Sequence, residues 1–236
     1  MPKLFSAFFL LSALAFGVYG QSVCAVDSKT HKPKNCCNAS SFADCPADGC
    51  GVDLLLNTAK NRTDLPNEAE VQQKTIAKIA AFKRPKSWKW NQSRALLVSW
   101  GEGTPLRVNL FLQHVEHYKA GAEACNCNLT GDGNNDYHLV LGRTANAPEK
   151  QSLTAEISPR IRRTNWDYDR LKELAEQKTY VRITGWAMLD TQHIGDAHPI
   201  RRTHWEIHPV TKFEVCTTTK TQCDTGTGWH DLETLP

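Results

Sequence analysis

The chain has 236 residues, with 28 Lys and Arg against 25 Asp and Glu for a formal charge of +3, and nine cysteines. That near-neutral balance argues against a broad electrostatic grip on nucleic acid, and the length suffices for one buried core plus an appendage. After the first twenty residues no stretch is long and apolar enough to span a bilayer.

Residues 1–20 read as a secretory signal peptide. Lys3 precedes the apolar run "LFSAFFLLSALAFGVYG", and Val18 and Gly20 suit cleavage after Gly20; loss of Lys3 leaves a charge of +2. Val23 fits poorly before a lipidated cysteine. The expected destination is secreted or periplasmic. All nine cysteines (Cys24, Cys36, Cys37, Cys45, Cys50, Cys125, Cys127, Cys216 and Cys223) follow that cleavage point. In an oxidising compartment most should be paired, in an order the sequence leaves open, with at least one left over. Zinc is the rival reading for "CPADGC" and "CNC", ranked lower because no double Cys-x-x-Cys is present. Sequons at Asn38, Asn61, Asn91 and Asn128 matter only in a eukaryotic secretory pathway.

Residues 21–65 hold five cysteines among polar and turn-forming residues, without sustained periodicity, and are expected to be an irregular flap stapled by disulfides. Residues 66–103 begin with a predicted helix: Asn67 and Glu70 suit a capping box, Val71, Ile76, Ile79 and Ala80 share a stripe, and Pro85 stops it near Lys83. Trp88, Trp90 and Trp100 follow and are expected to fasten this connector to the main domain.

Residues 104–220 change to strand patterning. "TPLRVNLFLQHVEHYKAG" is long enough for a strand that bends or carries a bulge, and "DYHLVLGRT" and "QSLTAEISPRIR" are two more. "TNWDYDRLKELAEQ" is helical, with Thr164 and Asp167 at its start. "TYVRITGWAMLD" and "HWEIHPVTKFEVC" complete the set, and 221–236 is a tail. Three strands, a helix and two strands is the order of the OB-fold, so the fold class is mainly β: an OB-like five-stranded barrel, β-β-β-α-β-β, with a Cys-rich N-terminal segment and one preceding helix. A small α+β sheet is the structural rival.

The segments "EACNCNL", "NNDYHLVL", "AEISPRIR", "YVRITGWAMLD" and "WEIHPVTKFEVC" resemble a family of uncharacterised exported bacterial proteins that share a strand of the Trp-Glu-Ile-His-Pro-Val type. The resemblance covers most of the chain from Gly49 onward and implies no activity.

Alternation sorts the strand residues into two faces. Tyr137, Leu139, Leu141, Leu153, Ala155, Ile157, Val181, Ile183, Leu189, Trp205 and Ile207 should fill the barrel. Asp136, His138, Glu156, Arg182, Trp186, Asp190, His204, Glu206 and His208 should share its outer, wet surface. Candidate ligand-binding residues are therefore His138, Glu156, Arg182, Trp186, His204, Glu206 and His208, with Glu206, Glu156, Arg182 and Asp190 as candidate catalytic groups. His204, His208 and His193 are candidate ligands for a divalent metal, since alternate strand residues lie roughly 6.5 to 7 Å apart and two imidazoles can converge. The plainer alternative is that Glu206 pairs with Arg182, Arg201 or Arg202, that His208 bonds to backbone, and that no cofactor is held.

Three functions compete. The leading one is an exported binding or interaction module for a small ligand, glycan or protein, bordered by the Asp190 to Arg202 loop. The second is a metal-assisted hydrolase of phosphodiester or other ester bonds, with His204, His208 and Glu206 of the His/Glu row as ligands or base; a nuclease-like form would draw on Asp136 and Glu156 for metal and Arg160, Arg162 and Arg163 for phosphate, though "SPRIRR" reads equally as a charged turn. The third is a structural envelope protein. Nucleic acid is not an expected partner.

Overall fold

The computed structural model describes residues 39–117, 123–196 and 200–235. The signal peptide, Cys24, Cys36, Cys37 and the Asn38 sequon lie outside them.

The five barrel strands are β2 (Pro105–His117), β3 (Tyr137–Gly142), β4 (Leu153–Ile157), β5 (Tyr180–Leu189) and β6 (Trp205–Cys216), following β1 (Gln72–Gln73) and preceding β7 (Trp229–Asp231). Pairing runs β2–β3–β4–β6–β5 and closes through β5–β2; β4–β6 is parallel and the other four barrel pairings are antiparallel. With a helix between β4 and β5 this is the OB-like barrel read from the sequence. β2 serves two partners because it bends: its first half pairs with β5, its second with β3, and the register slips between Leu112 and His114.

Every residue assigned inward is buried in one apolar core, joined by Leu106, Val108, Leu110, Leu112, Phe213 and Val215. Helix α4 (Tyr168–Glu176) packs Leu171 and Ala175 on that core. It begins at an Asp167 cap, whose carboxylate accepts from the Arg170 N–H, rather than at Thr164.

The segments before the barrel hold more structure than expected. Within the Cys-rich stretch, Asp53 caps α1 (Leu54–Lys60) by accepting from the Leu56 N–H. The predicted helix over 67–83 is broken. Asn67 caps a single 3-10 turn, Gln72 and Gln73 pair in parallel with Leu106 and Arg107, and a short α2 (Ile76–Ala80) starts at a Thr75 cap. Hydrogen bonding to the sheet edge outweighs a weak helical preference there. A further helix, α3 (Ala95–Trp100), follows; Trp88 and Trp100 pack against the core while Trp90 is exposed. In the tail, α5 (Lys220–Asp224) carries Cys223, and β7 extends β6. Disulfides join Cys45 to Cys127 and Cys216 to Cys223; Cys50 is also disulfide-bonded, and Cys125 is the free, buried cysteine among the described residues. No helix among the described residues is long and apolar enough to cross a membrane.

The expectation that the polar face is wet is overturned. Glu206, His208, Glu156, Asp190 and His204 are each at most 4% exposed, because α1 and the 123–136 loop roof the outer face of β3, β4 and β6. Leu56, Asn57 and Lys60 are the buried residues of α1. The Asn57 amide donates to the Cys50 carbonyl at 2.7 Å, and the Asn61 amide to the Cys125 carbonyl at 2.7 Å. Gly49, at φ +58°, lets the flap backbone lie on this loop, since a Cβ there would sit 2.4 Å from the Ala124 oxygen.

Gly185 lies where the β5–β6 register slips, and a Cβ on it would meet the Pro209 carbonyl oxygen at 2.4 Å. Gly185→Ala should therefore lower the unfolding free energy by about 1–3 kcal/mol in urea titrations. Gly195→Ala, with nothing within 4 Å, should shift it by less than about 0.5 kcal/mol.

Candidate functional site

Register brings the outer-face groups together. His138 is the cross-strand neighbour of Glu156, and Ala155 opposite Ile207 sets Glu156 beside Glu206 and His208. Three adjacent strands thus deliver four ionisable side chains to one level. The roof delivers the rest: Lys60 from α1, Glu123 and Asp136 from the loop before β3, and Arg201 and Asp190 from the loop joining β5 to β6.

His208 is at the centre. Its Nδ1 lies 2.7 Å from Glu156 Oε2 and 3.5 Å from Glu206 Oε1, and its Nε2 lies 3.4 Å from Asp136 Oδ2. These are close charge contacts set off the line a hydrogen bond needs, so neither ring nitrogen makes one, nor does Glu206 Oε1. His138 bridges Glu123 (3.0 Å) and Glu156 (3.4 Å), and the Lys60 ammonium stands 3.5 Å from Glu156. Arg201 binds Glu206 at 2.9 Å and also Asp190, which in turn holds His193 at 2.5 Å. Asn126 donates to Asp136 Oδ1 at 3.0 Å and to Glu123 at 2.8 Å.

The charges set one another's ionisation. Burial alone would strip the protons from His138 and His208, but the carboxylates outweigh it, Glu156 foremost, and hold them up at about 9 and about 10. Burial, reinforced by the Glu123 charge, pushes Asp136 up to about 6. Glu156 and Asp190 resist the same burial: His138, Lys60 and His208 keep the former well below its usual range, and His193 and Arg201 keep the latter low.

The residues singled out from the sequence divide. His138, Glu156, Glu206 and His208 converge, and Asp190 with His193 joins them through Arg201. Arg182 and Trp186 stand elsewhere. Arg182 faces Glu214 at 4.0 Å and lies over the Trp229 ring, while Trp186 is covered by the Arg62 guanidinium at 3.5 Å. Register sets them apart from the cluster: Arg182 lies opposite Glu214, well past His208 along β6, and Trp186 opposite Pro105 on the β2 side of the wall. Of the three partners considered for Glu206, Arg201 is the one it takes, and His208 contacts carboxylates rather than backbone. His204 sits beside the cluster, its Nδ1 3.1 Å from Arg84 Nη1. A metal set of His193, His204 and His208 does not form; the residues that bring metal-ligating atoms within 4.8 Å of one another are Asp136, Glu156 and His208. The phosphate-binding role weighed for the arginines after β4 is also unsupported by their contacts. Arg160 donates to the Cys45 and Pro46 carbonyls, Arg162 to those of Asp132 and Asn135, and Arg163 meets Asp231.

Sequence reasoning missed Lys60, Glu123 and Arg84. Lys60 had a signal of sorts: an aliphatic and an amide, Leu56 and Asn57, stand one turn ahead of it in a segment that Asp53 can cap.

No family model, no curated protein and no solved structure matches the chain, so the reading of the site rests on its geometry and charge.

Two outcomes are expected. Arg201→Met leaves Asp190 and Glu206 buried without their shared cation and should cost about 3–5 kcal/mol of stability, read by urea denaturation. In EDTA-containing buffer, stability should also fall between pH 6.5 and 10. Both imidazoles are held above an unfolded value of about 6.5, so their contribution is complete below that pH and is lost as pH rises through 9 to 10. The slope approaches about 1.4 kcal/mol per pH unit for each imidazole. The low-held Glu156 acts in the opposite sense, its contribution present above about pH 4.5 and lost in acid. A stability flat from pH 6.5 to 10 would contradict the assignment.

Proposed function

We propose that this chain is an exported, disulfide-stapled OB-like binding module that takes an anionic group at the edge of its roof. OB barrels usually present the face of their second and third strands, with the loops that border it, to a ligand. In this chain that face belongs to β3 and β4, and α1 and the 123–136 loop already occupy it. What remains open beside it is a pocket of about 140 Å³ lined by Ala80, Arg84, Arg201, Arg202, Thr203 and His204. The loop joining β5 and β6 borders this pocket, as the sequence suggested for a ligand site.

One observation carries the reading: Arg84 and Arg202 both face this pocket, and neither pairs with a carboxylate among the described residues. Arg201, which also lines it, is paired with Asp190 and Glu206, and elsewhere Arg62, Arg94, Arg107 and Arg163 are paired. The ring of His204 adds a neutral donor. Burial, with the Arg201 and Arg84 charges, holds its ionisation below the ordinary range. Since a guanidinium can only donate, Nδ1 accepts from Arg84 and the proton is left on Nε2. Two forked cations, an N–H and a volume of a few waters suit a phosphate, sulfate or carboxylate. Export to the periplasm or exterior agrees with the disulfides, which persist in oxidising compartments.

The hydrolase reading has less support. Its carboxylates and His208 are sealed beneath the roof, at most 2% exposed, whereas a catalytic metal keeps a position open to water or substrate.

Calorimetric titration with inorganic phosphate and with sulfate tests the proposal. Saturable binding is expected for at least one, weakened about 10- to 100-fold by Arg84→Ala or Arg202→Ala, as for loss of a charge-assisted hydrogen bond. Urea stability should stay within about 0.5 kcal/mol, because both side chains are exposed. Absence of saturable binding for both anions, or binding indifferent to both substitutions, overturns it.

A further inference from the structure

The buried cluster leans on imidazolium for its charge balance, independently of the anion pocket. Five carboxylates (Glu123, Asp136, Glu156, Asp190 and Glu206) face two permanent cations, Lys60 and Arg201, and the histidines His138, His193 and His208 stand against the same carboxylates. Charges so buried are ordinarily paired or bound to metal. The geometry supplies a place for a cation. Asp136, Glu156 and His208 each offer one ligand atom, all within 4.8 Å of one another, and all three residues are buried. His208 Nε2 and Asp136 Oδ2 are 3.4 Å apart, which is about the edge of a tetrahedron around a zinc ion with ligand bonds of about 2.1 Å.

A second observation points the same way. Both ring nitrogens of His208, 1% exposed, make no hydrogen bond, and neither does Glu206 Oε1, 3.5 Å from Nδ1. Buried imidazoles normally satisfy both nitrogens. Asp136 is held as metal-ligating carboxylates commonly are: Asn126 takes Oδ1 at 3.0 Å and leaves Oδ2 turned toward His208. Glu156 would share its carboxylate between the ion, Lys60 at 3.5 Å and His138 at 3.4 Å.

We propose that Asp136, Glu156 and His208 bind one divalent transition-metal ion, zinc or manganese, as a closed structural site that ties the 123–136 loop to β4 and β6. A mixed imidazole and carboxylate set favours these ions over calcium, which takes six to eight oxygens. Bound there, the ion would take the place of the His208 proton.

The test uses the full mature chain, oxidised, stripped with EDTA and dialysed. Titration with zinc chloride and with manganese chloride should give one equivalent bound for at least one metal, and a higher melting temperature. Asp136→Asn and His208→Gln variants that retain the native circular dichroism spectrum should hold less than a tenth of an equivalent. If those variants do not fold, X-ray absorption of the zinc-loaded wild type decides: one imidazole with oxygen donors supports the site, and two or more imidazoles or a sulfur-dominated shell overturns it. Folded, stripped wild type that takes up neither metal and keeps its melting temperature also overturns it, as do folded variants that bind as the wild type does. None of these results depends on whether phosphate or sulfate binds at Arg84.

Discussion

The fold turns on the contact between the His208 imidazole and the carboxylates around it. A face of β3, β4 and β6 that water would normally cover is instead closed by α1 and the 123–136 loop, and what fills the gap is charge rather than grease. Removing one member of such a network strands its partners in a medium that solvates them poorly. The arrangement therefore specifies geometry more than it adds net stability. Lys60 must reach Glu156, and Arg201 must reach both Asp190 and Glu206, or the roof cannot close.

That constraint also orders the surroundings. The Cys45–Cys127 disulfide pins the flap to the loop, while Arg160 and Arg162 bind backbone carbonyls of the same two segments. The arginines that resemble a phosphate grip are fasteners. On the other side, Arg94 pairs with Glu102 at the end of α3 and bonds to the Leu189 carbonyl, anchoring the point where β5 gives way to the Asp190 loop. The pocket at Arg84 lies where these fastenings stop.

The barrel was largely legible in the sequence, because period-two alternation is dictated by the pleat and by a core that excludes polar groups. The residues assigned inward, Tyr137 first and Ile207 last, all lie in the core, and β2 bends as its length requires. The same alternation identified the opposite face correctly but not its burial. A polar row facing water and one facing a charged lid read alike, since hydropathy registers the side chain and not what covers it. α1 was hidden for the related reason that its inner face is Leu56, Asn57 and Lys60, not an apolar stripe. Arg182 and Trp186 were misplaced with the cluster because alternation gives the face of a strand but not its register: Arg182 stands opposite Glu214, well past His208 along β6, and Trp186 opposite Pro105 of β2.

Under the flap the Asn61 amide donates to the backbone carbonyl of Cys125. The partners that seal this region are far apart along the chain: Lys60 stands 96 residues before Glu156, and His208 comes later still. During vectorial synthesis the flap thus emerges long before the strands it must cover, with Cys45 waiting for Cys127 and the lysine for its carboxylate. Closure of the lid therefore rests on long-range contacts, which carry a large loop-closure cost. A thiol at position 45 that has not yet met Cys127 is open to exchange with any other thiol or disulfide within reach.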